Sequence, residues 1–161
     1  MNIMVVSDDH GLKGFKEAYE EACNKYGSIE AVIHAGDTER SDNSYYMASC
    51  NVPIYMVRGN NDFNGTPESI EFELAGKKFF VTHGHRYSVY MGMQGICYAA
   101  MEKKADIVIF GHTHHAYHQE WKGVQLINPG SLTGVRSGKG SYVVLSISDK
   151  ISVNFNYLEI D

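Results

Sequence analysis

The sequence predicts an α/β fold in which two mixed β-sheets pack together with helices outside, in one domain spanning residues 1–161. Alternation is the first reason: strand-like and helix-like segments succeed one another through the first third of the chain, which implies a parallel sheet. The second is a change of texture after Pro67, where strands follow one another through tight turns. Length is the third, because 161 residues suffice for a continuous core without disulfides or structural zinc.

Each element follows from its own pattern. Asn2–Ser7 (NIMVVS) is a short β-branched run ending at polar residues, which suits a buried strand. Leu12–Tyr26 has helical spacing, with Phe15, Ala18, Tyr19, Ala22 and Tyr26 three or four apart and Gly27 at the stop position. Glu30–Ala35 is a second strand, Asn43–Cys50 a short helix and Pro53–Val57 a third strand. Ser69–Leu74 and Lys78–Thr82 flank an AGK turn as a hairpin, and Met91–Lys104 is another helix. Ile107–Phe110, Ala116–Trp121, Val124–Asn128, Tyr142–Ile147 and Ser152–Tyr157 complete a strand-rich end.

Bulk properties narrow the function classes. A net charge of -5 leaves no electrostatic footprint for bulk nucleic-acid binding, although a bound metal can add positive charge that a residue count omits. Cys23, Cys50 and Cys97 are odd in number and not spaced as CxxC, which argues against a disulfide framework or a thiolate zinc site. The first residues lack a signal-peptide pattern and no apolar run approaches the ~18 residues of a membrane span, so a cytoplasmic protein without membrane partners is expected.

The chemistry gathers where strands end. Strand one leads to Asp8-Asp9-His10-Gly11, strand two to Gly36-Asp37, strand three to Gly59-Asn60-Asn61-Asp62, the hairpin strand to His83-Gly84-His85, and a later one to Gly111-His112-Thr113-His114. Singly, each has a plainer explanation. Asp8/His10 can be a loop or helix cap, the GD and GNND pieces turns, and His83 and His85 satisfied polar residues. Together they would require five unrelated turns with the same glycine punctuation. Ligands in α/β proteins collect beyond the carboxyl ends of strands, so the five ends can converge on one cleft. Carboxylates, an amide oxygen and imidazoles suit Mn, Fe or Zn, and seven ligands suit two ions sharing a bridging carboxylate.

SDDHG, AGD, GNND, THGH and GHTH, in that order, resemble the five motifs of the calcineurin-like metallophosphoesterase superfamily, and the later Asn128-Pro129-Gly130-Ser131 resembles its compact bacterial and archaeal phosphodiesterase branch. The resemblance implies a four-layer αββα sandwich. It also implies that Asp8, His10 and His114 hold one divalent ion, that Asn60, His83 and His112 hold the other, and that Asp37 bridges both. Manganese is the usual metal of the branch, with Fe, Zn or Ni as alternatives. The implied reaction is hydrolysis of a small phosphodiester by a metal-bridging hydroxide, with Asp37, Asn60, Asn61, Asp62 and His112 as the catalytic candidates. Relatives imply a homo-oligomer, a dimer or tetramer.

One departure bears on the chemistry. Many superfamily members have a histidine where this chain has Asn61, paired with the acidic residue that follows, here Asp62. Asparagine cannot shuttle a proton, which leaves the general acid unassigned and suggests a preference for good leaving groups. Asp62 then has the alternative of orienting a loop. Arg40, Arg58, Arg86 and Arg136 are candidates for gripping a phosphate, against the plainer role of solvated surface residues. Tyr45, Tyr46, Tyr87 and Tyr90 could stack on a base or pack in the core. The alternatives to a diesterase are a phosphomonoesterase and a protein-interaction scaffold on the same fold, as in a retromer subunit; the complete ligand pattern favours an enzyme.

Overall fold

A computed structural model describes residues 1–158; residues 159–161, the end of the expected domain, lie outside the described residues. The elements follow in the order β1 (Asn2–Val6), α1 (Phe15–Tyr26), β2 (Ala31–His34), α2 (Ser44–Ser49), β3 (Ile54–Met56), β4 (Ser69–Leu74), β5 (Lys77–Thr82), α3 (Gln94–Lys103), β6 (Ile107–Ile109), β7 (Tyr117–Trp121), β8 (Val124–Asn128), β9 (Gly140–Ile147) and β10 (Ile151–Leu158). Two boundaries differ from the periodicity for local reasons. α1 begins at Phe15 and not at Leu12, because Leu12 closes a turn onto the Asp9 carbonyl and Gly14 takes a φ of 152°. α3 begins at Gln94 and not at Met91, because Val89–Met91 forms a single 3-10 turn that Gly92 ends.

The strands make two mixed five-stranded sheets, ordered β10-β9-β1-β2-β3 and β4-β5-β6-β8-β7. Within the first, β1, β2 and β3 run parallel, β9 is antiparallel to β1, and β10 is antiparallel to β9. In the second, β5, β6 and β8 run parallel, with β4 and β7 antiparallel at the edges. Alternation along the strands divides the apolar residues. Ile3 and Val5 of β1 face Phe79, Val81, Ile107 and Ile109 between the sheets, while Met4 and Val6 pack under α1 with Phe15, Ala18 and Tyr46. Phe80 and Val108 turn the other way, onto Ile96 and Ala100 of α3. Helix, sheet, sheet and helix are therefore four layers, and a strand covered on both faces reads as a nearly continuous apolar run.

This topology places the chemistry. The carboxyl ends of β1, β2 and β3 and those of β5, β6 and β8 open at one end of the sandwich, and all five glycine-marked loops start there.

Candidate metal centre

The loop after β1 turns sharply inward. Asp8 and His10 both adopt left-handed backbone, at φ 57° and 50°, and the turn is held by backbone bonds from Asp8 to Gly36 and from His10 to Asp37. Asp37 (φ 60°), His112 (φ 72°) and His114 (φ 65°) share that conformation, which non-glycine residues rarely adopt without compensating contacts. Such strain in the loops after β1, β2 and β6, though not in those carrying Asn60 and His83, marks a place where the fold enforces side-chain direction. Close approach completes it: a Cβ on Gly59 would run into the Asp37 carboxylate, and one on Gly111 into the Ser7 hydroxyl and Asp8.

Two clusters result, Asp8/His10/His114 and Asp37/His83/His112, each with ligand atoms within 4.8 Å of one another. They lie side by side, since His10 Nε2 is 3.9 Å from Asp37 Oδ2 and His83 Nε2 is 3.7 Å from Asp8 Oδ1. The tautomers follow from the outer ring nitrogens. His83 Nδ1 donates to the Ala35 carbonyl at 2.7 Å, His114 Nδ1 to the Val135 carbonyl at 2.6 Å, and His10 Nδ1 to Glu39 Oε1 at 2.8 Å. Each Nε2 therefore presents a lone pair inward in the neutral ring. His10 and His114 bring these lone pairs to 3.0 Å, and the buried Asp8 Oδ1 and His83 Nε2 have no hydrogen-bond partner among the described residues. Acceptors facing acceptors in a buried site require a cation or a proton between them. The donor set fits divalent ions of the Mn, Fe or Zn type.

The titration behaviour agrees. Burial alone would raise the Asp8 carboxyl, but His114, His83 and the Ser7 hydroxyl outweigh it and hold it below its ordinary 3.8. Asp37 is likewise held well down: burial is overcome by His83 and the Asn61 N–H groups. Burial would lower His83, yet Asp37 and Asp8 raise it, and the Asp8 carboxylate, 3.4 Å from His114 Nε2, raises His114. His112 shifts down, through burial first and the charge on His83 second. Both carboxylates thus favour positive charge between them.

The remaining candidates divide. Asn60 is exposed beside Gly59, and among the described residues no side-chain hydrogen bond joins it to either cluster. Asn61 holds Asp37 through its backbone N–H (3.0 Å) and its Nδ2 (3.1 Å). Asp62 is buried, and its carboxylate accepts the N–H groups of Asp37, Gly59 and Glu39, which makes it a loop clamp. Arg58 and Arg86 both bind Glu68, while Arg40 stacks on Tyr45 and donates to the Leu12 carbonyl. Arg136 stands close enough to His114 for its charge to be felt. Tyr46 is core, Tyr87 packs against Phe80, and the exposed Tyr90 lies 4.9 Å from the His112 ring.

Sequence reasoning gave no site role to four contributors, although its motifs contain Asp9, Asn128 and Ser131. Glu39 backs His10, and Asp9 is buried between two candidate ligands, bonded to His34 and Tyr46. Ser131 Oγ donates to the Asp8 carbonyl and Asn128 Nδ2 to the Gly111 carbonyl, so the NPGS loop ties the first and last motifs together. A charged Asp9 at the end of an apolar strand was the available signal; nothing local marks Glu39 or Tyr46.

Comparison with known proteins supplies the family. Residues 1–150 match the model of the calcineurin-like phosphoesterase superfamily domain. The chain belongs to that superfamily. It is 32% identical over 158 residues to the probable metallophosphoesterase YsnB of Bacillus subtilis (strain 168), covering 96% of this chain and 90% of the relative. Phosphodiesterase MJ0936 of Methanocaldococcus jannaschii is 30% identical over 167 residues, with 93% and 95% covered. Wild-type Vps29 from Entamoeba histolytica, complexed with zinc, superimposes with a TM-score of 0.79 over 98% of both chains at 22% identity, which shows the shared fold. The two mixed sheets with flanking helices are thus the metallophosphoesterase sandwich. No helix among the described residues is long and apolar enough to cross a membrane.

Proposed function

We propose that this chain is a two-metal phosphodiesterase acting on a small phosphodiester. The observation that carries the proposal is the convergence of inward Nε2 lone pairs and buried carboxylate oxygens in two adjoining clusters. Asp8, His10 and His114 would hold one ion, His83 and His112 the other with Asn60 from the adjoining loop, and Asp37 would touch both. Two divalent ions in such a cage lower the pKa of water and stabilise charge on a phosphoryl oxygen. Manganese is the metal we favour. The chain's own residues supply direction: the three Nδ1 bonds orient the imidazoles, Asn61 orients Asp37, and Asp62 locks the loops that carry both.

A diester is favoured over a monoester by the charges at the rim. A monoester brings a dianion and gains from additional cations, yet Arg58 and Arg86 are paired with Glu68 and Arg40 is turned onto Tyr45, which leaves Arg136 alone of the four candidates near the centre. A monoanionic diester needs less. The name of the MJ0936 relative supports the same choice. In a chain with net charge -5, small anions and not bulk nucleic acid are the expected substrates, in the cytoplasm, with a homo-oligomer as the proposed assembly.

The test supplies manganese to metal-stripped protein and compares an aryl phosphodiester with the matching monoester. Turnover of the diester should exceed that of the monoester and vanish in His112→Ala. Preference for the monoester would reverse the assignment, and a loaded protein inert on both would point to the scaffold alternative.

A further inference from the structure

The Asp8–His10 loop is backed by two carboxylates outside the candidate ligand set. Asp9 is wholly buried; its Oδ2 accepts the Tyr46 hydroxyl at 2.5 Å and its Oδ1 the Nε2–H of His34 at 3.3 Å. His34 is fixed in that tautomer because its Nδ1 accepts the Gly36 N–H at 3.0 Å. Its ring meets Tyr46 edge-on at 5.0 Å, and Tyr46 meets Phe15 at 5.1 Å, so α2 and α1 wall in the whole group. The Asp9 carbonyl is held as well, by Thr133 Oγ1 and the Leu12 N–H. Glu39 is the second carboxylate. It accepts His10 Nδ1–H at 2.8 Å while its own N–H is tied to Asp62.

The other cluster is surrounded differently. His83 leans on a neutral backbone carbonyl, and the rings packed against His83 and His112 are those of His85 and Tyr90. Arg86 follows His85 and pairs with Glu68, and the Asp62 carboxylate answers backbone N–H groups.

We propose that Asp9 and Glu39 are positioning residues that make Asp8/His10/His114 the tighter of two divalent-ion sites. Both act through other groups. The Tyr46–Asp9–His34 bonds hold the left-handed loop in its ligating shape before an ion arrives, so binding needs no rearrangement. The Glu39 carboxylate polarises His10 and fixes its ring, an outer contact whose loss commonly weakens metal binding 10–100-fold. The Glu39 carboxylate, bonded directly to a ligand ring of this cluster, also adds negative charge that favours a cation there.

This inference rests on the two-ion centre proposed above, and its test reads binding and not turnover. Metal-stripped protein is titrated with Mn²⁺ by calorimetry and electron paramagnetic resonance at fixed pH. Wild type should show a tight and a weak class, and His112→Ala should lose the weak one. Glu39→Gln, at a half-exposed position that leaves folding intact, should weaken the tight class by about tenfold or more; Tyr46→Phe, which keeps the ring and removes the donor to Asp9, should act on the same class. A substitution that merely loosened the fold would lower both affinities together, so the ratio between classes is the decisive quantity. Two equal sites in wild type, equal weakening of both classes, or no ion bound would each overturn the proposal. Unequal binding in a protein inert on every ester would sink the phosphodiesterase assignment and leave this one standing, whereas equal sites in an active diesterase would do the reverse.

Discussion

His83 and His10 aim the same atom into the centre and are held in opposite ways. His83 is fully buried and anchored to the Ala35 carbonyl, a group whose position is set by β2 and whose charge never changes. His10 sits at the rim, and its anchor is the partly exposed side chain of Glu39. Orientation can therefore come from the sheet itself or from one replaceable side chain. The first is robust, and the second is where affinity can be adjusted without touching the core.

The largest effect should come from removing the group common to both halves. Asp37→Ala is expected to empty the centre of metal and lower diester turnover by about a thousandfold or more, since a metal pair contributes several kcal/mol of charge stabilisation; retention of two ions by mass spectrometry would break the bridging assignment. Next comes the contrast between the anchors. His10→Ala should weaken metal binding while leaving stability within about 0.5 kcal/mol, whereas His83→Ala should weaken metal binding and cost about 2 kcal/mol, through a cavity and a lost hydrogen bond. Equal unfolding free energies for the two variants in denaturant would erase the distinction drawn here.

A pH series should show a smaller effect, with a definite sign. Asp8 and Asp37 lie below their ordinary 3.8, so their contribution to stability is present above that pH and fades below it. His83 and His114 lie above their ordinary 6.5, so theirs is present below 6.5 and fades as pH climbs through the raised values. Metal-free protein should thus gain most from the centre between 3.8 and 6.5. Manganese displaces the protons and should move the optimum upward, because ligand histidines must be neutral; identical stability profiles with and without manganese would count against that linkage. The smallest effect concerns the leaving group. Asn61→His should raise turnover of esters with poor leaving groups by a few-fold, tempered by the lost contact from Nδ2 to Asp37, and unchanged or lower turnover would leave the general acid elsewhere.

Much of this was legible in the chain. Val124–Asn128 and Ser69–Leu74 carry strand patterns strong enough to place both ends, and the five glycine-marked strand ends announced a shared cleft. The starts of α1 and α3 were less legible because apolar spacing continues through Leu12 and Met91, while Gly14 and Gly92 hold backbone that no helix accepts. Tyr46 illustrates a deeper limit. Its neighbours Tyr45 and Met47 differ little from it in type, yet it alone of the three is wholly buried and reaches Asp9 from α2, 37 residues away in sequence.

The sequence by itself determined the residue types at each strand end, their order, and the apolar runs that sheets covered on both faces demand. Those follow from local rules, periodicity and turn chemistry, which act within a few residues. Only the tertiary structure decided that Asp8 and His114 would meet across 106 positions, that Asn61 and Asp62 would serve Asp37 and its loop, and that a carboxylate would stand behind His10 but not behind His83. Those outcomes depend on two separate sheets opening at the same end of the sandwich, and no local pattern encodes which side chains the packing will then bring into contact.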